Sequence, residues 1–396
     1  MNELISVDPD VRELLAVVQE FCEKEVAPRV RDIEDAAAIY DTDLLRTAAA
    51  IGLQGLIFDG EGGIEPAGFV PAHETNEIVA SYSGSLALAL SIARLHGYML
   101  CRYAAPEIRD RWLPGLVAGE AFGAFAISEP HAGTDVRAIT TVARRDGDDY
   151  VLDGEKSWIT QGPRSEFAVV LAKLEHRGRE ADTAAFVVDL GTPGASAGPA
   201  EPLIGFRGVP LGTLSFSGCR VPEAARMRVD GFGGMLDGVN LARLDCASYA
   251  LGFLRGALRE CTTYLADREA FGAPLVRNPL LQAQLGTMLA AYLAGRHLAH
   301  AALGSFAAGG GDGVDTALVS AAKLVTTESA MAQSTVAVQL LGGAGVHTDH
   351  LVQSYFRDSK IIEIIDGTSQ IHQLMLGRTA ARLDWTAPVP GPRRRA

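Results

Sequence analysis

The segment Phe125–Asp135, which reads FAISEPHAGTD, lies where the character of the chain changes. Before it, residues 8–121 carry apolar side chains at helical spacing, which predicts a helical region with one buried face per helix. After it, short apolar runs alternate with turn residues, a pattern typical of antiparallel sheet. Pro130 and Gly133 predict an irregular loop within the segment, at the junction between the helical and the sheet region.

The sheet region contains several runs of strand length, each bounded by turn residues. The candidate strands are Ile139–Arg145, Tyr150–Leu152, Phe167–Leu174, Ala184–Leu190 and Thr213–Phe216. Asp146-Gly147 and Asp153-Gly154 are dipeptides typical of hairpin turns. Residues 191–203 are rich in Gly, Pro and Ala, and we expect them to form a loop.

Beyond residue 236 the chain is again helical in character, and rich in Ala and Leu. Three long helices are predicted, at Val239–Asp267, Pro279–Phe306 and Thr316–Leu341. The predicted fold is therefore mostly α with a central β domain. The predicted boundaries are an N-terminal helical domain at 1–121, a β domain at 122–235, a helical domain at 236–384 and a disordered Pro/Arg tail at 385–396.

Composition excludes several classes of protein. Of 396 residues, 48% are apolar and 21% charged, as in a globular chain, and the net charge of −13 argues against a nucleic-acid or membrane-surface binder. The five cysteines show no C-x-x-C spacing, so neither a disulfide framework nor a zinc site is expected. The start lacks a signal peptide, and no apolar run is long enough to predict a membrane span. We expect a cytoplasmic protein.

Metal and nucleotide motifs are also missing from the sequence. The pairs His297/His300 and His347/His350 have no evident third ligand, so no metal is predicted. No G-x-G-x-x-G follows a predicted strand, which argues against a Rossmann dinucleotide site. No arrangement of Ser, His and Asp typical of a nucleophilic enzyme is evident.

One arginine stands out in an otherwise apolar helix. Ser85–Tyr103 is predicted to be a strongly apolar helix, and it carries Arg94. An arginine in such a place can bind an anionic group of a substrate. Snorkelling to the surface, or pairing with an acid, is the more common arrangement and the one the pattern favours.

The segment Lys360–Ile371, which reads KIIEIIDGTSQI, places one acid after an apolar run. A poorly hydrated carboxylate at Asp366 would have a raised pKa and would be a better proton acceptor near neutral pH. The alternative is that Asp366-Gly367 is simply a turn. Trp158 beside Thr160 also has two interpretations. An indole next to a hydroxyl can lie against the flat ring of a ligand, but a tryptophan at a strand end is more often packed in the protein core.

Five segments, in this order, resemble the signatures of the acyl-CoA dehydrogenase family of flavoproteins. They are Ala126–Asp135, Gly154–Thr160, Arg268–Leu275, Gln339–Gly343 and Arg357–Ile371. The resemblance extends over residues 8–384. It implies an N-terminal helical domain, a small antiparallel β-barrel and a C-terminal four-helix bundle, with FAD bound between them and a homodimer or homotetramer as the assembly.

The resemblance also implies roles for individual residues. Those implied to contact the FAD of the same subunit are Phe125, Ile127, Ser128, Trp158, Thr160, Thr368 and Gln370. Those implied to reach the FAD of a neighbouring subunit are Arg268, Phe271, Gln339 and Gly343. Thr134 and Arg243 are implied to contact the acyl thioester and its pantetheine arm. An arginine suits a pyrophosphate because its guanidinium matches that group's geometry.

The implied reaction removes two hydrogens from an acyl thioester carried by CoA or an acyl-carrier protein. Asp366 would take the α-proton, and the β-hydrogen would leave as hydride to flavin N5. A flavin ribityl hydroxyl and the backbone N–H of Asp366 would polarise the thioester carbonyl. An electron-transferring flavoprotein is the electron acceptor that the resemblance implies.

The sequence departs from the family at several positions. The usual base is glutamate, and Asp366 is shorter by one methylene, roughly 1.3–1.5 Å of reach. The position that carries the base in some relatives is Ala242 here, and Pro279 replaces a glutamine that reaches FAD in many relatives. Gly84 replaces an arginine of relatives that act on dicarboxylic acyl groups, which disfavours such substrates unless Arg94 takes over. A flavin-dependent monooxygenase on the same fold and a non-catalytic thioester-binding relative therefore stay open as alternatives.

Overall fold

The structure is a computed structural model that describes residues 9–36, 43–175, 182–229, 231–309 and 314–386. It is rich in helix, with a curled central sheet between two helical regions, so the predicted fold class is confirmed. The predicted disordered tail lies, from residue 387 onward, outside the described residues.

The N-terminal region consists of helices. They are α1 (Pro9–Phe21), α2 (Val30–Ala36), α3 (Leu44–Ala50), α4 (Phe69–Ala80), α5 (Gly84–Tyr103) and α6 (Pro106–Val117). The hydroxyl of Ser83 caps α5 by accepting from the backbone N–H of Leu86. Among the described residues, α5 alone is long and apolar enough to cross a membrane, and most of it is buried inside the protein. It is therefore a core helix.

The central sheet has seven strands. They are β1 (Gly123–Ala126), β2 (Val142–Asp146), β3 (Asp149–Thr160), β4 (Phe167–Leu174), β5 (Thr183–Asp189), β6 (Ala195–Ala197) and β7 (Leu211–Pro222). The strand order is β1-β4-β2-β3-β7-β6, and β5 pairs with β4. The strands enclose an apolar core that includes Leu152, Phe186 and Phe216.

The sheet differs from the sequence prediction in three respects. β1 and β2 both pair parallel with β4, because hairpins alone do not connect these strands. The short strand β6 lies inside the expected loop at 191–203. β3 runs past Leu152 to Thr160, because Gly154 continues the strand at φ +151°, where a Cβ would lie 2.6 Å from the Cα of Thr141. That glycine reads as a turn signal in the sequence.

The C-terminal region contains the longest helices. They are α7 (Gly231–Asp267), α8 (Pro279–Gly309), α9 (Thr316–Leu341), α10 (Val352–Ile362) and α11 (Ser369–Ala380). α7, α8, α9 and α10 pack against one another as a bundle, and α7 also packs on α4 and α5. A short hairpin of β8 (Glu269–Ala270) and β9 (Ala273–Pro274) follows α7.

A buried ion pair connects β3 to the loop after β1. The Nζ of Lys156 donates to the Oε1 of Glu129 (2.9 Å) and to the carbonyl of Ile127 (3.0 Å), and both charged side chains are almost fully buried. The backbone N–H groups and hydroxyls of Thr140 and Thr141 also donate to Glu129. Burial acts to raise the pKa of Glu129, but these hydrogen bonds outweigh it and lower the pKa to about 2.

We predict that Glu129→Gln lowers the free energy of unfolding by about 3–5 kcal/mol at pH 7, because it leaves Lys156 buried without a counter-charge. The folded-state pKa of Glu129 lies below its ordinary value of 4.5, so its contribution is present above pH 4.5 and is lost as the pH falls toward 2. The deficit of the variant in urea denaturation should therefore shrink between pH 6 and pH 3.

The matched control is Glu20→Gln, which breaks an exposed pair with Lys24. It should leave the free energy of unfolding nearly unchanged, because an exposed pair is screened by solvent. Equal effects of the two substitutions would contradict a structural role for the buried pair.

Candidate active site

Asp366 lies in a tight turn between α10 and α11. Asp366 has φ +55° and Gly367 has φ +106°, so both residues adopt the left-handed region. Aspartate tolerates that region better than most residues, and glycine tolerates it without strain. Two such residues in succession reverse the chain after Ile365 and direct the Asp366 side chain toward α7.

Two cationic side chains hold this turn by its backbone. Arg243 on α7 donates from Nε to the carbonyl of Asp366 (3.0 Å). Lys323 on α9 donates from Nζ to the carbonyls of Gly367 (2.7 Å) and Glu363 (3.2 Å). The carboxylate itself accepts a bond from the thiol of Cys246, with 3.4 Å between Sγ and Oδ2. Within the described part of the chain no contact ion pair reaches the Asp366 carboxylate, so the turn is anchored to the bundle through its backbone.

The environment of the Asp366 carboxylate favours its neutral form. Burial raises its pKa above the ordinary value of 3.8. The charge of Lys323, the hydrogen bond from Cys246 and the charge of Arg243 oppose this shift only in part. A carboxylate whose pKa is raised in this way is a better proton acceptor near neutral pH, and the assignment of Asp366 as the base stays a prediction.

The residues expected along the flavin ring come from β1, its exit and β3. The backbone N–H of Ser157 donates to the carbonyl of Ser128 (3.0 Å), which joins the first two signature segments. Trp158 has φ +60°, and its indole is 65% exposed. Partly exposed residues on the same two segments are Phe125, Ile127, Ser128 and Thr160.

These segments fit a flat aromatic group with polar edges. A tryptophan in a strand is usually packed in the core, and here the indole instead presents an open face at a strained backbone position. The hydroxyl of Ser157 is buried and has no hydrogen-bond partner among the described residues. A planar ligand would cover the open indole face.

Arg243 is the substrate-site residue that the structure brings to Asp366. It is buried, and its Nη1 also donates to the Oδ1 of Asn240 (3.0 Å). Thr134 lies exposed on the loop after β1. Thr368 is the N-cap residue of α11, without a capping bond from its side chain, and Gln370 is exposed in the first turn of that helix.

The four residues expected to serve a neighbouring subunit lie far from Asp366. Arg268 and Phe271 are exposed at the end of α7, with Phe271 at φ +54° in the tip of the β8–β9 hairpin. Gln339 and Gly343 are exposed at the end of α9. About 36 Å of α7 separates Arg243 from Arg268, at a rise of about 1.5 Å per residue.

Cys246 and Lys323 are site residues that the sequence analysis did not select. Cys246 follows Arg243 by one helical turn, so the spacing alone places both on one side of α7. Lys323 is a single lysine in an apolar stretch of α9, and it is fully buried. Among the described residues, no group of three His, Cys, Asp or Glu side chains is arranged to hold a metal ion.

Comparison with known proteins covers nearly the whole chain. The family profiles that match are the acyl-CoA dehydrogenase N-terminal domain at residues 8–120, its middle domain at 124–219 and its C-terminal domain at 229–381. A probable acyl-CoA dehydrogenase of Mycobacterium leprae is 32% identical over 386 residues, which is 96% of this chain and 97% of the relative.

Solved structures give the same result. Butyryl-CoA dehydrogenase from Megasphaera elsdenii superposes with a TM-score of 0.87 at 27% identity, over 96% of this chain and 100% of that one. A glutaryl-CoA dehydrogenase from Mycobacterium smegmatis in complex with FADH2 also has a TM-score of 0.87, at 26% identity and over 96% of each chain. The chain therefore belongs to the acyl-CoA dehydrogenase family, whose members are oxidoreductases that act on CH–CH groups of acyl-CoA.

Proposed function

We propose that the protein is an FAD-dependent acyl-thioester dehydrogenase in which Asp366 is the catalytic base. The observation that carries the proposal is the Asp366 turn. Arg243 and Lys323 hold its backbone, while burial keeps the pKa of the carboxylate above its ordinary value. A carboxylate with a raised pKa is a better match for the weakly acidic α-proton of a thioester.

The residues present fit FAD as the cofactor. The open indole of Trp158 would lie against the ring system, and Phe125, Ile127, Ser128 and Thr160 would line its edge. Thr368 and Gln370 would contact it from the turn after Asp366. When bound, FAD supplies at flavin N5 the acceptor for the hydrogen that leaves the β-carbon.

The chain itself supplies the base and one donor for the thioester carbonyl. The Asp366 carboxylate takes the α-proton, and the thiol of Cys246 stabilises its ionised form before that transfer. The backbone N–H of Asp366 donates to no acceptor among the described residues, so it is free to polarise the carbonyl oxygen. The exposed Thr134 would contact the pantetheine arm. Arg243 would hold the Asp366 turn in position beside the thioester.

Arg268, Phe271, Gln339 and Gly343 are too far along their helices to serve the FAD beside Asp366. We therefore infer that they complete the FAD site of a second copy of the chain, in a homodimer or homotetramer. Their exposure supports this role, because Phe271 is fully exposed at a hairpin tip. The substrate would be an acyl-CoA or an acyl-carrier-protein thioester, and an electron-transferring flavoprotein would reoxidise the flavin.

We expect Asp366→Asn to slow anaerobic flavin reduction by an acyl thioester by about 100- to 10,000-fold, because the amide cannot take the α-proton. FAD content should be unchanged. Stopped-flow absorbance of the purified holoenzyme measures both. The matched control is Glu363→Gln on the same turn, whose carboxylate pairs with Lys360 (2.7 Å). It should retain the wild-type rate, and an undiminished rate in Asp366→Asn would remove Asp366 from the mechanism.

Substitutions at Cys246 should shift the pH dependence of flavin reduction. The base acts when deprotonated, so the rate should rise with pH through an apparent pKa above 3.8. Cys246→Ala removes a hydrogen bond that lowers the pKa of Asp366, so the rise should move to higher pH. Cys246→Ser supplies a stronger donor and should move it to lower pH. Identical profiles for all three proteins would contradict the assignment.

Arg268→Ala should weaken FAD binding by about 10- to 100-fold, because a charge-assisted bond to the cofactor is lost. The ratio of flavin to protein absorbance after gel filtration, followed by calorimetric titration of FAD, measures the loss. Arg220→Ala removes an arginine from an exposed pairing with Asp149 in the sheet and should keep full occupancy. Full occupancy in both variants would exclude Arg268 from the cofactor site.

A further inference from the structure

A second group of buried polar side chains lies beside the Asp366 site. Arg94 on α5, His73 on α4 and Asp245 on α7 line a small cavity of about 10 Å³. The rest of its wall is apolar and includes Phe69, Leu241 and Leu303. Three different helices therefore each direct one polar side chain into an apolar enclosure.

The hydrogen-bonding capacity of these side chains is largely unused. Arg94 is 4% exposed, and its Nη1 donates to the carbonyl of Leu53 (3.2 Å), but its Nη2 has no partner among the described residues. Neither ring nitrogen of the buried His73 has one. The Asp245 carboxylate and the Arg94 guanidinium do not come within ion-pair distance of each other. Arg94 thus neither snorkels nor forms the contact pair that the sequence favoured.

Unpaired buried polar groups destabilise a protein, and charged ones more than neutral ones. Several such groups around one cavity therefore indicate a guest that completes their hydrogen bonds, either a buried water or a polar group of a ligand.

Helix α7 contributes residues both to the cavity and to the candidate active site. In the sequence Asp245 stands between Arg243, which holds the Asp366 turn, and Cys246, whose thiol contacts the Asp366 carboxylate, so all three belong to one turn of α7. Asp245 keeps some accessible surface, whereas Arg94 and His73 are buried. Burial raises the pKa of Asp245 to about 7, with the charge of Arg94 opposing that shift and the charge of Asp366 adding to it.

The size and the donor–acceptor pattern of the cavity define the group that it would take. A cavity of this volume holds about one water-sized oxygen, which excludes a carboxylate with its two oxygens. Arg94 offers a donor and Asp245 an acceptor, and the two side chains are too far apart to pair directly. A hydroxyl can accept from the one and donate to the other.

We propose that the natural acyl group carries a hydroxyl distal to the thioester, and that Arg94 and Asp245 select it. The inference rests on the proposed function, because it takes the thioester to lie beside Asp366. Arg94 would donate to the hydroxyl oxygen, Asp245 would accept from its O–H, and His73 would contribute a further hydrogen bond.

The test is binding to the FAD-loaded Asp366→Asn protein, measured by calorimetry. The ligands are thioesters of pantetheine, which is the arm that CoA and acyl-carrier protein have in common. Each ω-hydroxyacyl chain of four to eight carbons is paired with the chain that has a methyl group in place of the hydroxyl, and the ω-carboxyacyl chains of the same lengths are measured beside them. At one chain length the hydroxylated ligand should bind about 10- to 100-fold more tightly, as expected for hydrogen bonds to charged groups.

Two further substitutions test the residues. Arg94→Met and Asp245→Leu, each added to Asp366→Asn, should abolish the preference for the hydroxyl. Arg102→Met is the matched control, because Arg102 lies on the same helix but is paired with Asp237 (3.8 Å), and it should keep the preference. FAD content and melting temperature report folding. If Arg94→Met does not fold, the result for Asp245→Leu tests the inference alone. That variant is expected to fold, because it removes a carboxylate that has no ion-pair partner.

Other outcomes would overturn the inference. Equal binding within every pair would mean that the cavity holds only water, and tighter binding of ω-carboxyacyl chains would mean that Arg94 takes an anion. In either case, reduction of the wild-type flavin by the same thioesters would leave the proposed function standing. A wild-type flavin that none of them reduces would overturn the proposed function, and this inference with it.

Discussion

The proposed chemistry depends on one constraint: the turn at Asp366 is held by hydrogen bonds to its backbone, while its carboxylate forms no contact ion pair with the same cations. Arg243 and Lys323 bond to carbonyls of the turn, not to the Asp366 carboxylate. A contact ion pair would fix the carboxylate equally well, but it would lower its pKa and make it a poorer base. The arrangement therefore gives a fixed position together with a raised pKa, and the thiol of Cys246 supplies a weak donor that adjusts the balance.

The length of the bundle helices distributes the functional residues over two distant places. α7 carries Arg243 and Cys246 beside Asp366, and it ends about 36 Å away beside Arg268. One helix thus carries residues that contact the base of one site, and it leads into an exposed arginine suited to the cofactor of another. A protein built in this way would need a second copy to complete its sites, which links catalysis to assembly in the account given above.

Much of the fold could be predicted from periodicity and turn residues. Thr316–Leu341 and Phe167–Leu174 form a helix and a strand with the predicted ends, because continuous apolar runs with clear boundaries specify them. The parallel pairing of β1 was missed, since it depends on a partner more than forty residues away. In the sequence Gly154 reads as the end of a strand. The structure continues the strand through it, and this depends on the close approach of Thr141, which the sequence does not reveal.

The parts of the candidate site that depend on short sequence motifs could be predicted, and the parts that depend on packing between helices could not. The left-handed turn at Asp366 follows from an Asp-Gly pair, but its contacts with Lys323 and Cys246 arise from the crossing of three helices. Arg94 shows the same limit. Its sequence context favoured a paired or snorkelling side chain, and only the structure reveals a buried guanidinium with a free nitrogen beside Asp245.

The most direct test of the central claim is anaerobic reduction of the wild-type holoenzyme by acyl-CoA and acyl-carrier-protein thioesters, with and without deuterium at the α-carbon. The account predicts that at least one thioester bleaches the flavin, and that α-deuteration slows the bleaching because Asp366 removes that hydrogen as a proton. Bleaching whose rate does not respond to α-deuteration, or a flavin that stays oxidised with every thioester, would contradict it.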